Sequence, residues 1–161
     1  MDEAEFKRRT KALALGVLKM TETLPRTRGA DVIARQIRRS ATSVGANYRA
    51  ACRSRSLPEM VAKLGIVEEE ADETLYWLEL LLEGGIASPE TLRPLQRETH
   101  QILAMTVQSR KTFRARINRP TSHDQQPNNQ NRRLESAAQL PPAQIENRQS
   151  KINPASAPEP R

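Results

Sequence analysis

Three side chains in this sequence are natural candidates for catalysis near neutral pH: His100, His123 and Cys52. Metal centres inside helix bundles draw on Glu-x-x-His pairs, but the residue three before His100 is Arg97, so that chemistry has no ligand set. Arg53 and Arg55 flank Cys52 closely enough to lower an exposed thiol's pKa. The plainer reading of Cys52 is a small residue at a helix end. As the only cysteine it can form neither an internal disulfide nor a thiolate metal cage, which points to a reducing, cytoplasmic setting. Six glycines leave no material for a phosphate-cradling loop. The expectation is a chain with no catalytic residues, no metal, no cofactor and no small-molecule substrate.

Charge is the informative chemistry. The chain carries 26 Lys and Arg against 19 Asp and Glu, a formal net charge of +7. Residues 26–55 hold Arg26, Arg28, Arg35, Arg38, Arg39, Arg49, Arg53 and Arg55 against one acid, Asp31. Residues 57–84 reverse the sign, with Glu59, Glu68, Glu69, Glu70, Asp72, Glu73, Glu79 and Glu83 against Lys63. Either the two rows neutralise each other between helices or subunits, or the arginines face outward and meet phosphate. The guanidinium fork suits both partners, and structural pairing is the expectation for most of the row. A second basic group, Arg110, Lys111, Arg114, Arg116 and Arg119, complements the dipole at the close of a helix.

The elements that position these groups are helices. Aromatic residues are 3% of the chain, which argues against a β-sandwich or barrel and against a stacking platform for bases. No apolar run is long enough to span a bilayer, and the start, MDEAEFKRRT, lacks the apolar stretch of a signal peptide. Apolar residues recur at gaps of three and four in four segments. The first is Phe6, Leu13, Val17, Met20 and Leu24, ending at Pro25. The second is Ile33, Ile37, Ala41, Val44, Tyr48 and Ala51. The third is Leu57, Met60, Leu64, Val67, Ala71, Leu75, Leu78 and Leu82. The fourth is Leu92, Leu95, Ile102, Met105, Ser109 and Phe113. Residues 25–29 (PRTRG) separate the first two, with Asp31 acidic at the new N-terminus. Ser56 and Glu59 have the spacing of a capping box, Gly84-Gly85 supplies a left-handed stop, and Ser88-Pro89-Glu90 starts the fourth. Pro94 predicts a kink or a separate short turn.

Four such helices with short loops pack as an all-α, antiparallel up-down-up-down four-helix bundle over residues 1–118. Residues 119–161 hold seven of the eleven prolines, eleven Gln and Asn, and four large aliphatics, and read as a disordered C-terminal tail. Within the second helix, residues 40–47 (SATSVGAN) are small on nearly every side, which lets another helix approach closely; Gly65 is the expected counterpart of Gly45. Asn47, on or near the apolar face, is a candidate for fixing register. Trp77 flanks its stripe beside Tyr76 and fits either the edge of the core or a subunit contact.

The run from Gln36 to Arg49 (QIRRSATSVGANYR) resembles the signature of the four-helix-bundle protein family, also called the 23S rRNA intervening-sequence protein family. Ser56, Lys63-Leu64, Glu69-Glu70-Ala71, Glu73-Thr74 and the stretch Tyr76 to Leu81 (YWLELL) are similar to the same family's third helix. The resemblance covers about residues 5–117. It implies a left-handed bundle, a homo-oligomer that is pentameric in known members, and no known enzymatic activity. Some members are encoded within insertions of bacterial ribosomal RNA genes. A related basic pentamer of diversity-generating retroelements assists a reverse transcriptase. One departure is Ala50, where members often carry an acid. The expected function is a non-catalytic oligomeric scaffold that binds RNA, DNA or a nucleic-acid enzyme such as a reverse transcriptase. The candidate contacts are Arg35, Arg38, Arg39, Arg49, Arg53, Arg55, Arg110, Lys111, Arg114 and Arg116. Asn47, Glu73 and Trp77 are the candidates for register or subunit contact. The alternative is a protein-binding adaptor with no nucleic-acid role.

Overall fold

The computed structural model describes residues 2–119; the expected tail, apart from Arg119, lies outside the described residues. Four helices follow one another: α1 (Glu3–Thr21), α2 (Arg28–Ala51), α3 (Leu57–Glu83) and α4 (Pro89–Ile117). No described residue is in a strand, and no described helix is long and apolar enough to cross a membrane.

Each start has a local cause. Asp2 accepts from the Ala4 N–H at 3.2 Å, Thr27 from Ala30 at 3.2 Å and Ser56 from Glu59 at 3.3 Å. These oxygens satisfy N–H groups that have no partner within the helix. Thr27 caps α2, and Asp31 lies in its first turn, where its charge complements the helix dipole as expected. The capping box at α3 is shifted by one residue, because Glu59 accepts from the Arg55 N–H at 2.9 Å, not from that of Ser56. At the α3 exit Gly84 keeps right-handed geometry and only Gly85 turns left-handed, at φ 62°. The Ile86 N–H returns to the Leu81 carbonyl at 3.0 Å, which closes the turn. Pro94 lies inside one continuous α4, so no separate turn precedes that helix.

Two glycines give opposite expectations. No atom crowds a side chain at either Gly85 or Gly29, but only Gly85 has positive φ. Gly85→Ala should cost about 1 kcal/mol. Gly29→Ala, in the first turn of α2, should gain up to about 1 kcal/mol. Thermal melts of the two variants should move in opposite directions, and a shared direction would refute the backbone explanation.

Consecutive helices pack on each other and α4 closes back on α1, while the backbones of the diagonal pairs α1–α3 and α2–α4 stay more than 8 Å apart between Cα atoms. That is the four-cornered array of an up-down-up-down bundle. Phe6, Leu13, Val17, Ile37, Val44, Val67, Leu78, Leu81, Leu92 and Ile102 form its dry interior. Three stripe assignments change. Leu24 falls beyond α1, Leu57 is exposed, and Leu81, outside the expected stripe, is fully buried. Buried hydroxyls interrupt the apolar seam at Thr10, Ser40, Thr74, Thr99 and Thr106. Each threonine among them donates to the carbonyl four residues back, so burial leaves no donor unsatisfied.

The close approach at Gly45 is to α1: a Cβ there would lie 3.7 Å from the Thr10 carbonyl carbon. Gly65 faces Arg110 of α4 instead, so it is not the counterpart of Gly45. Arg9 ties α1 to α4 through a two-pronged bond to Glu98 at 2.7 and 2.9 Å and a third to Gln101 at 2.6 Å.

Candidate interaction surface

The helical period sorts the arginines. Along α2, Val32, Arg35, Arg39, Thr42, Ala46 and Arg49 repeat at gaps of three and four, and all are exposed. Arg53 and Arg55 are exposed in the loop that follows. Arg38 lies to one side, where it donates to Thr21 Oγ1 of α1 at 2.6 Å. Arg39 leans the other way, onto Glu70 at 3.3 Å and onto Glu73. Arg39 is thus the one α2 arginine that meets an α3 carboxylate among the described residues. Pairing along most of the row, expected from the charge pattern, does not occur among the described residues. The outward carboxylates of α3, Glu69, Asp72, Glu79 and Glu83, likewise have no ion-pair partner among them.

The last turns of α4 contribute Arg110, which bonds Glu68 of α3, together with exposed Lys111, Arg114 and Arg116. Antiparallel order brings this segment to the same end of the bundle as the α2 C-terminus. A single cleft there is lined by both Cys52 and Arg116. Arg49, Arg53 and Arg55 consequently share one end with Lys111, Arg114, Arg116 and Arg119, although the two groups lie more than fifty residues apart in sequence. Of the nearby carboxylates, Glu3 pairs with Lys7 and Glu5 with Arg8 at 2.6 Å. Asp2 and Glu59 accept backbone N–H bonds and keep their charge, and Glu69, which lines a hollow with Arg110 and Arg114, has no ion-pair partner among the described residues. The basic side chains outnumber these acids, which leaves the end cationic.

Burial pushes the Cys52 thiol above its ordinary pKa, the reverse of what its arginine neighbours would do to an exposed thiol. The Tyr48 phenol is raised for the same reason. His100 is an exposed helix residue.

A second cluster sits on the α2–α3 face. The Trp77 indole N–H donates to Glu73 at 3.0 Å, and Glu73 grips Arg39. Trp77 is half-buried against the core, with the Tyr76 ring edge-on at 4.9 Å. Glu70 Oε2 is buried with no partner among the described residues, so two carboxylates share one guanidinium. Asn47 is half-buried and donates to the Ser43 carbonyl at 3.1 Å and Oγ at 2.9 Å, both on its own helix.

The Arg39 bond, then the Trp77 N–H, hold the Glu73 carboxyl below its ordinary pKa of 4.5. A depressed carboxylate adds stability above its unfolded pKa and loses it as pH falls through the folded value. Glu73→Gln should therefore lower the melting temperature at pH 7, and the gap should close below pH 4.5. A gap of constant size across that range would show that the ion pair is not its cause.

Four antiparallel helices around one core, with a cationic end, define an all-α four-helix bundle. The chain belongs to the 23S rRNA-intervening sequence protein family, whose sequence model matches residues 2–108. A crystal structure of a protein of unknown function from the S23 ribosomal protein family of Bacteroides thetaiotaomicron VPI-5482 has the same fold. It is 30% identical, with a TM-score of 0.64, over 69% of this chain and 99% of that one. No curated protein matches the chain.

Proposed function

We propose that this protein is a non-catalytic, cytoplasmic scaffold that assembles with copies of itself and holds RNA or DNA on its cationic end, largely without regard to sequence. The observation that carries the reading is the meeting of Arg49, Arg53 and Arg55 with Lys111, Arg114 and Arg116 at one end, where they outnumber the carboxylates left without a cation. Guanidinium and ammonium groups free of carboxylates are available to phosphate, and counterion release then makes binding weaken steeply with salt. Self-assembly is supported by the α2–α3 face. A line of exposed arginines runs beside a line of exposed carboxylates, and these rows pair between copies. The family resemblance adds the expectation of five subunits.

A gel-shift assay with unrelated RNA and DNA is the test. Retardation of both is expected at roughly 50 mM salt, with strong weakening at roughly 200 mM. No shift at either salt would overturn the nucleic-acid half of the proposal. Light scattering over a dilution series addresses the other half, and a monomer at every concentration would overturn it.

A further inference from the structure

The cleft at the cationic end, about 470 Å3 in volume, exists because the helices are unequal in length. Arg9 of α1 is level with Gln101 of α4, to which it is bonded. From that level α1 extends six residues to Glu3, whereas α4 extends sixteen to Ile117. About ten residues of α4, roughly 15 Å, run past the first turn of α1. Along that inner stripe Ile102 and Thr106 are buried, while Ser109 and Phe113, on the same face, are half-covered. The α3–α4 pair thus continues toward this end after one of its covering helices has stopped.

The lining is amphipathic. Met60, Leu64, Met105 and Phe113 offer an apolar bed, and thioethers adapt to differently shaped partners. Gln108 and Thr112 make one wall polar. Arg116 stands at the rim with its guanidinium 5.5 Å from the Phe113 ring, and exposed Arg53, Arg55, Lys111 and Arg114 belong to the same end. The one carboxylate in the lining, Glu3, is neutralised by Lys7.

We propose that this cleft receives an acidic amphipathic helix of a partner protein. Its apolar side chains enter between α3 and α4, and its carboxylates meet the arginine rim. The sign of the rim selects an anionic partner, and an apolar bed with one polar wall fits a helix that carries both kinds of side chain. An alkyl chain would leave the polar wall unused. A nucleobase would find two rings in the lining, Tyr48, which is buried, and Phe113, already faced by Arg116. This proposal does not rest on nucleic-acid binding.

The probe is a fluorescein-labelled synthetic helix of Leu, Glu and Ala, with leucines at i, i+3, i+4 and i+7, titrated with the full chain by anisotropy. Saturable binding is expected, weakened about tenfold or more when serines replace the leucines. Thr112→Trp fills the cleft from an exposed position whose hydroxyl bonds only the Gln108 carbonyl. It should weaken the peptide about tenfold while single-stranded RNA still shifts normally. Arg116→Glu, at the rim, should weaken it as well, and circular dichroism checks that both variants fold. Absent binding, equal binding of the serine peptide, or full binding by both variants would overturn the proposal. Three other results would also overturn it by giving the cleft a different occupant. Phosphatidylglycerol vesicles captured by the wild type and lost in Thr112→Trp would assign it to lipid. A changed oligomer mass in that variant would assign it to a second copy, and a lost RNA shift would assign it to nucleic acid.

Discussion

Replacing Leu78 by alanine is expected to lower the unfolding free energy by about 3 kcal/mol, whereas the same change at Leu57 should cost under about 0.5 kcal/mol. Both leucines lie on the stripe that spacing alone assigns to the interior of α3, exactly three heptads apart in phase. Leu78 is 0% exposed and packs within the central cluster; Leu57 is 39% exposed in the first turn of the helix. Truncating Leu78 removes buried methyl groups and leaves a cavity that the surrounding core side chains cannot fully close. Truncating Leu57 removes surface that water already reaches. Since a domain of this size is stable by roughly 5–15 kcal/mol, the first change takes a large share of the total. Denaturant unfolding of both variants measures the contrast, and equal losses would contradict the packing described for α3.

Changing Arg53, Arg55, Lys111, Arg114 and Arg116 together to glutamine should weaken single-stranded RNA binding on the order of 10²–10³-fold near 0.15 M salt. Each lost phosphate contact removes about 0.7 from the slope of log affinity against log salt. Arg110 is left in place because its guanidinium already serves Glu68. The control carries the same change of charge at the opposite end: Lys19, Arg26, Arg28, Arg93 and Arg97, all exposed, changed to glutamine. A much smaller loss is expected there. Equal losses from the two sets would mean that net charge, and not a localised surface, drives binding. Filter binding at several salt concentrations gives both the affinity and the slope.

The helices were readable because their signals are local. Ser56, Gly85 and the three-four spacing each act within a turn or two, and the structure places them as that spacing implies. What escaped depends on how helices line up. Leu57 and Leu78 look alike by spacing, and only the packing shows that the first turn of α3 is left uncovered. Thr10, Thr74, Thr99 and Thr106 were passed over because an apolar-polar reading treats hydroxyls as surface. Thr99 and Thr106 nevertheless continue the spacing of Leu92 and Ile102, and a helical threonine can satisfy its own hydroxyl on the preceding turn. The arginine row was visible, but its partners were not, because a one-turn offset between α2 and α3 decides which carboxylate each guanidinium reaches. Antiparallel order, which four helices with short loops imply, joins the two basic groups, whereas the charge pattern read along the chain leaves them separate.

The bond from Trp77 to Glu73 gives the molecule a built-in optical gauge. There is one indole in the chain, and its N–H is tied to the carboxylate that clasps Arg39. Any event that draws Glu73 away, whether acid or a competing guanidinium from another subunit, hands that N–H to water. Emission should then shift to the red, so the seam between α2 and α3 can be watched in unlabelled protein.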